Sequence, residues 1–136
     1  MNFESGGMGT ATFNFTGDLN VSNDLTISGD VVISSDARLK SNIISLGSTL
    51  SKLLLLDGKS YKMNVDGDQK IGVLAQDVQK VFPELVTKGD NEMLAVNYQG
   101  LVPVLINALK EQQVEIDRLK TQEERIERLE KMILNQ

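Results

Sequence analysis

The 136-residue sequence predicts an α+β fold in three successive parts. Three features point to it. A six-residue apolar repeat lies near the N-terminus, a middle stretch mixes short strand and helix patterns, and a C-terminal run carries heptad spacing.

The repeat starts at Thr12 and reads TFNFTG, DLNVSN, DLTISG, DVVISS, DARLKS. The second and fourth positions are apolar in every hexad: Phe13 and Phe15, Leu19 and Val21, Leu25 and Ile27, Val31 and Ile33, Ala37 and Leu39. The first position is Asp in four of the five, and the sixth is Gly17, Asn23, Gly29, Ser35 and Ser41. Alternating apolar residues followed by a polar turn describe a short strand with one apolar face. Such a strand cannot bury that face alone. A plain meander of short strands is the simple alternative, and five hexads are few for a self-supporting solenoid. The favoured arrangement is a trimeric β-prism or β-helix stalk, three identical chains wound around one axis. Residues 1–11 are then a flexible leader and residues 12–34 the stalk.

Residues 42–97 read as a small mixed domain. Leu50, Leu53 and Leu54 give helical spacing over 48–55, with Ser48 as N-cap. Asp57-Gly58 marks a turn. Residues 59–63 and 71–75 read as strands joined by the polar segment VDGDQK. Residues 76–82 form a short helix stopped by Pro83. A last strand, 93–96, follows the turn Gly89-Asp90-Asn91.

One long helix follows, over 98–134. Heptad spacing places Val102, Leu109, Ile116, Glu123 and Glu130 at one seam position, and Leu105, Gln112, Leu119, Ile126 and Ile133 at the other. Leu129 fits a seam that skips near Ile126. Gln112 resembles the polar layers that set strand number. Pro103 marks a kink or the helix start. Residues 98–112 are expected to pack on their own domain, and the remainder to form a trimeric coiled coil. With only 4% aromatic residues and no Trp, a monomer would have a thin core, and association would bury more.

The composition excludes much chemistry. There is no Cys and no His, so disulfides, thiolate or His-ligated metals, Cys nucleophiles and Ser-His-Asp triads are ruled out within one chain. Any nucleophile is Ser or Thr, with Lys or a carboxylate as base. Neither a metal nor a cofactor is expected. The net charge of -5 disfavours nucleic-acid binding. No apolar run approaches the roughly 20 residues that span a bilayer, and MNFESGGMGT lacks a signal pattern.

At the end of the repeat the chain reads SSDARLKSNI. Ser35 occupies a hexad turn position and should lie on an exposed, tight corner, with Lys40 five residues on. Because the repeat turns back on itself, the two side chains can meet. A lysine acts as a base when burial lowers its pKa well below ~10.4, and a neutral amine could then take the Ser35 proton. The Ser35 hydroxyl reaches the Ser34 carbonyl through a five-membered ring, whereas its own carbonyl would demand a strained four-membered one. Ring size therefore selects the Ser34–Ser35 bond, with an ester intermediate hydrolysed by water. On spacing alone, a solvated turn with a surface lysine explains Ser35 and Lys40 equally well.

The stretches SSDARLKSNI, GVLAQDVQKVFPELV and LAVNYQGLVPVLINALKEQ, in this order and spacing, resemble a known family. It is the intramolecular chaperone domain that ends phage endosialidases, tailspikes and tail fibres, and that recurs in myelin regulatory factors. The resemblance covers about residues 34 to 120. It implies a homotrimeric domain, here 35–136, that directs folding of a fibre or spike upstream in the same chain. That domain then releases itself as a self-cleaving serine endopeptidase. The family's Ser-Lys dyad maps onto Ser35 and Lys40. Asp36 and Arg38 match the same motif as structural or orienting residues. Gln76 and Asn97 also match, and either holds the oxyanion or the lysine, or serves a structural hydrogen bond. The resemblance further implies a missing upstream domain, assembly in the host cytoplasm, a mature fibre on the virion, and no nucleic-acid or membrane partner. A trimerisation cap that never cuts is the alternative.

Overall fold

The computed structural model describes residues 14–89 and 91–136. The expected leader, Thr12 and Phe13 of the first hexad, and Asp90 of the expected turn lie outside them. The chain divides into two compact units, one ending at Ser41 and the other spanning Asn42–Gln136.

In the first unit, residues 14–36 form no strand, so the expected stalk strands are absent from the single chain. The six-residue period survives in the backbone. Bends fall at Gly17, at Ser22-Asn23 and at Ser28-Gly29, on or beside the sixth hexad position. Gly17 has φ 132°, a conformation that favours glycine. Every described apolar residue of the pattern through Ile33 is exposed, from 42% at Val21 to 69% at Leu19. A strand needs a neighbour with which to exchange backbone hydrogen bonds, and no such edge lies within this stretch.

The second unit is mixed α+β. A short helix α1, Leu50–Leu53, replaces the predicted 48–55. Its N-cap position is Thr49, not Ser48. Strands β1 (Lys59–Lys62) and β2 (Gln69–Gly72) pair antiparallel, from Lys59↔Gly72 to Lys62↔Gln69. The turn between them closes through Gly67 N–H to the Met63 carbonyl (2.8 Å), and Gly67 takes φ 76°. The second strand starts two residues before the predicted 71–75, because register follows the turn.

Helix α2, Ala75–Val81, ends ahead of Pro83, which opens a single 3₁₀ turn. Strand β3 (Val86–Lys88), which the sequence did not announce, then pairs antiparallel with β4 (Leu94–Val96). A 3₁₀ turn, Tyr98–Gly100, leads into α3, Leu101–Leu134. Pro103 lies in its first turn, where a missing N–H costs no helical hydrogen bond. At 34 residues α3 runs about 51 Å.

The core is small. Val78 of α2 is fully buried, and Phe82, Leu85 and Val104 of α3 close around it. Leu53, Val86 and Val96 bring α1, β3 and β4 against this cluster. Burying side chains of this kind stabilises by about 1.5–3 kcal/mol each. Along α3, Val104 and Ala108 are buried and Glu111 is partly covered, while every residue from 112 to 136 is exposed. The helix therefore packs on its own domain over its first three turns and is uncovered beyond them.

Candidate functional site

Ser35 and Lys40 meet. Lys40 Nζ donates to Ser35 Oγ at 2.6 Å and to the Ser35 carbonyl oxygen at 3.1 Å. The local chain explains how. Asp36 stands at the N-cap of a 3₁₀ turn, Ala37–Leu39, with extended backbone (φ -62°, ψ 135°). Its Oδ1 accepts from Arg38 N–H at 2.8 Å, as an N-cap carboxylate should. Leu39 N–H bonds the Asp36 carbonyl and Lys40 N–H bonds the Ala37 carbonyl, so the chain reverses within four residues. Lys40 then resumes an extended backbone, and its side chain returns to Ser35. The tight corner expected at Ser35 thus falls just after it, at 37–39.

Arg38 reinforces the turn. Its Nε donates to Asp36 Oδ1 (3.0 Å) and its Nη2 to Oδ2 (2.7 Å), a bidentate arrangement. The Arg38 guanidinium and then the Arg38 N–H hold the Asp36 carboxyl below its ordinary pKa, and Asp36 raises that of Arg38. Both are occupied with each other, which fits a structural role.

The spacing of Ser35 Oγ and Lys40 Nζ lies within the range of a general base and the hydroxyl it deprotonates. As an ammonium the lysine donates to Ser35 Oγ. As a neutral amine in the same place it would accept the hydroxyl proton. Ser34, Ser35 and Lys40 are all exposed in the single chain.

Gln76 and Asn97 belong to the second unit, and both are exposed, not buried. Asn97 is an N-cap: its Oδ1 accepts from Gly100 N–H at 3.2 Å. Its backbone N–H bonds the Leu85 carbonyl at 2.8 Å. Gln76 borders an open hollow of about 260 Å³ with Tyr61, Leu74, Leu94 and Tyr98. The Gly-x-x-Ala-Gln segment begins at Gly72 for a steric reason. A Cβ there would fall 2.5 Å from Tyr98 Oη, the atom that accepts a hydrogen bond from Val73 N–H at 3.1 Å. Among the described residues no acidic cluster could hold a metal ion.

The family model described as the chaperone of endosialidase matches residues 35–87. The matched segment begins at Ser35 itself and includes Asp36, Arg38, Lys40 and Gln76, while Asn97 and α3 lie beyond it. It is shorter than the stretch from 34 to 120 that carried the resemblance. The family is classed among the peptidases. No curated protein matches the chain.

Sequence inspection missed Glu111. Its Oε1 accepts from the N–H groups of Thr49 (2.5 Å) and Leu50 (3.0 Å), and its Oε2 from Ser48 Oγ (2.6 Å). The Ser48 hydroxyl, then the two N–H groups, hold its carboxyl below the ordinary value. The available signal was a carboxylate at the i+7 position from Val104, on a face that is otherwise buried.

Proposed function

We propose that this chain trimerises, guides the folding of a fibre or spike segment on its N-terminal side, and then cuts itself free at the Ser34–Ser35 bond. One observation carries the cleavage: Ser35 Oγ and Lys40 Nζ lie 2.6 Å apart at the start of a chaperone segment, in a chain without His or Cys.

Lys40, once neutral, takes the Ser35 hydroxyl proton. Oγ attacks the Ser34 carbonyl carbon through a five-membered ring. The C–N bond between Ser34 and Ser35 breaks, and the Lys40 ammonium returns the proton to the departing amine. An ester now joins Ser34 to Ser35 Oγ. Water hydrolyses it, leaving a carboxylate on Ser34 and a free hydroxyl and amine on Ser35. Burial is what favours the neutral amine, so a neighbouring chain must cover the exposed pair. Cleavage is thereby tied to correct assembly.

Trimerisation is supported by the uncovered half of α3. Ile116, Leu119, Ile126 and Ile133 are 44–69% exposed at heptad seam positions. It is also supported by the stalk's exposed apolar positions, which gain strand partners when three chains wind together. Joining three chains through α3 raises the local concentration of their stalks. Removing the chaperone afterwards closes the route back and traps the stalk kinetically. The exposure of Ser35 and Lys40 favours one alternative, a trimeric cap that stays attached.

The experiment is incubation of the purified chain, denaturing electrophoresis, and N-terminal sequencing of the larger piece. The expected result is two pieces, with the larger starting at Ser35. A chain that stays whole supports the permanent cap, and a piece starting elsewhere moves the scissile bond.

A further inference from the structure

Beyond Leu119, α3 presents two apolar stripes that differ by one step of the heptad. The frame that holds through Leu119 continues with Glu123, Ile126, Glu130 and Ile133. A moved frame continues with Gln122, Ile126, Leu129 and Ile133. Ile126 and Ile133 serve both, and the layers between them differ. Between copies of one chain, the first frame would bring like carboxylates together in two buried layers, which desolvation and repulsion both oppose. The moved frame buries a neutral amide and a leucine. Leu129 is 50% exposed in the single chain, so that leucine has surface left to cover.

The charges select the same frame. Glu124 has Arg128 four residues on, and Glu127 has Lys131, the spacing at which opposite charges meet along one helix. Arg125 and Glu130 have no such neighbour. Three and four residues from Arg125 stand Thr121, Gln122, Arg128 and Leu129, none of them acidic. Three and four residues from Glu130 stand Ile126, Glu127, Ile133 and Leu134, none of them basic. Among the described residues, neither joins an ion pair within the chain. In the moved frame Arg125 and Glu130 flank the seam on opposite sides, five residues apart. That is the separation at which flanking residues of neighbouring helices meet when the helices run parallel and aligned. In an antiparallel pair each flank would meet its own kind, Glu against Glu and Arg against Arg.

We infer that copies of this chain associate through the moved frame of α3, parallel and aligned, with Leu129 inside and Arg125 against Glu130 of the neighbouring copy. The inference rests on the trimerisation proposed above and names its contact residues over the last turns of α3. Ile116, Leu119 and Gln122 mark the change of frame. Seam residues three apart twice in succession overwind the coil locally.

The chain has no Cys, so a single introduced one reports its own position. Ile126→Cys, Leu129→Cys and Glu130→Cys, each in the full chain, are oxidised under equal conditions and followed by non-reducing denaturing electrophoresis. Seam residues of neighbouring copies come closer to disulfide range than flanking ones do. Ile126→Cys and Leu129→Cys should therefore link copies at least about tenfold faster than Glu130→Cys. Ile126→Cys linking while Glu130→Cys is as fast as Leu129→Cys overturns the moved frame alone. Ile126→Cys failing to link removes the parallel association of α3, and the trimerisation reading falls with the inference. A second measurement, sedimentation equilibrium, reads the ion pair through Arg125→Glu, Glu130→Arg and the two combined. Each single reversal should raise the concentration of half-assembly at least about threefold, and the combination should return it to within about twofold of wild type. Single reversals without effect, or a combination weaker than either, overturn the pairing of Arg125 with Glu130.

Discussion

At the scale of single residues, the Ser35–Lys40 pair depends on Asp36 more than on its own spacing. Serine and lysine five apart are common. They meet here because Asp36 caps a 3₁₀ turn and Arg38 grips the cap. The sequence showed the partners but not the device, because DARLKS fits the hexad pattern as well as its predecessors do. Only the bidentate Arg38–Asp36 contact distinguishes it. Asp36→Ala should therefore slow cleavage, because Lys40 loses the reversal that returns it to Ser35. Asp36→Asn keeps a cap acceptor and should stay nearer to wild type. Cleavage rates for the two variants check this, and equal rates for Asp36→Ala and wild type would count against it. Asn97 also matched a family motif, yet it spends its side chain on Gly100 N–H, as helix and turn caps do.

At the scale of elements, local pattern and turn chemistry made α2, β1, β4 and α3 legible, since each follows a residue period or ends at a Pro or Gly signal. Strand β3 was not legible: Val86–Lys88 has no alternation long enough to show, and its existence depends on pairing with β4. The cap of α1 was not legible either. Ser48 looked like the local N-cap, but the acceptor is Glu111, 63 residues away on another helix, and no spacing rule reaches that far. This contact carries a pH signature. The folded-state pKa of Glu111 is depressed, so its contribution is complete above the unfolded value of roughly 4.3 and is lost as pH falls through the depressed one. Thermal melting of wild type against Glu111→Gln should show wild type the more stable at neutral pH. The gap should close below pH ~4. A gap independent of pH would contradict the role assigned to the charge. Other carboxylates with lowered values, Asp77 and Glu115 among them, cancel in this comparison.

At the scale of the whole molecule, two stretches that the sequence marked with apolar periods are uncovered in the single chain. The stalk repeat keeps its six-residue bends but forms no strand, and α3 beyond Glu111 has nothing against its apolar side chains. Residue periods announce which face is apolar, and in one chain those faces stay exposed. The thin core around Val78 and Phe82 points the same way. In the proposed assembly, association would add to this small core and cover Ser35 and Lys40.

The central claim is that Ser35 and Lys40 cut the chain between Ser34 and Ser35. Intact mass of purified wild type, Ser35→Ala and Lys40→Ala after equal incubation tests it most directly. The predicted result is a wild type split into masses for residues 1–34 and 35–136, with both variants at the full 15.0 kDa. Full-length mass in all three would contradict it.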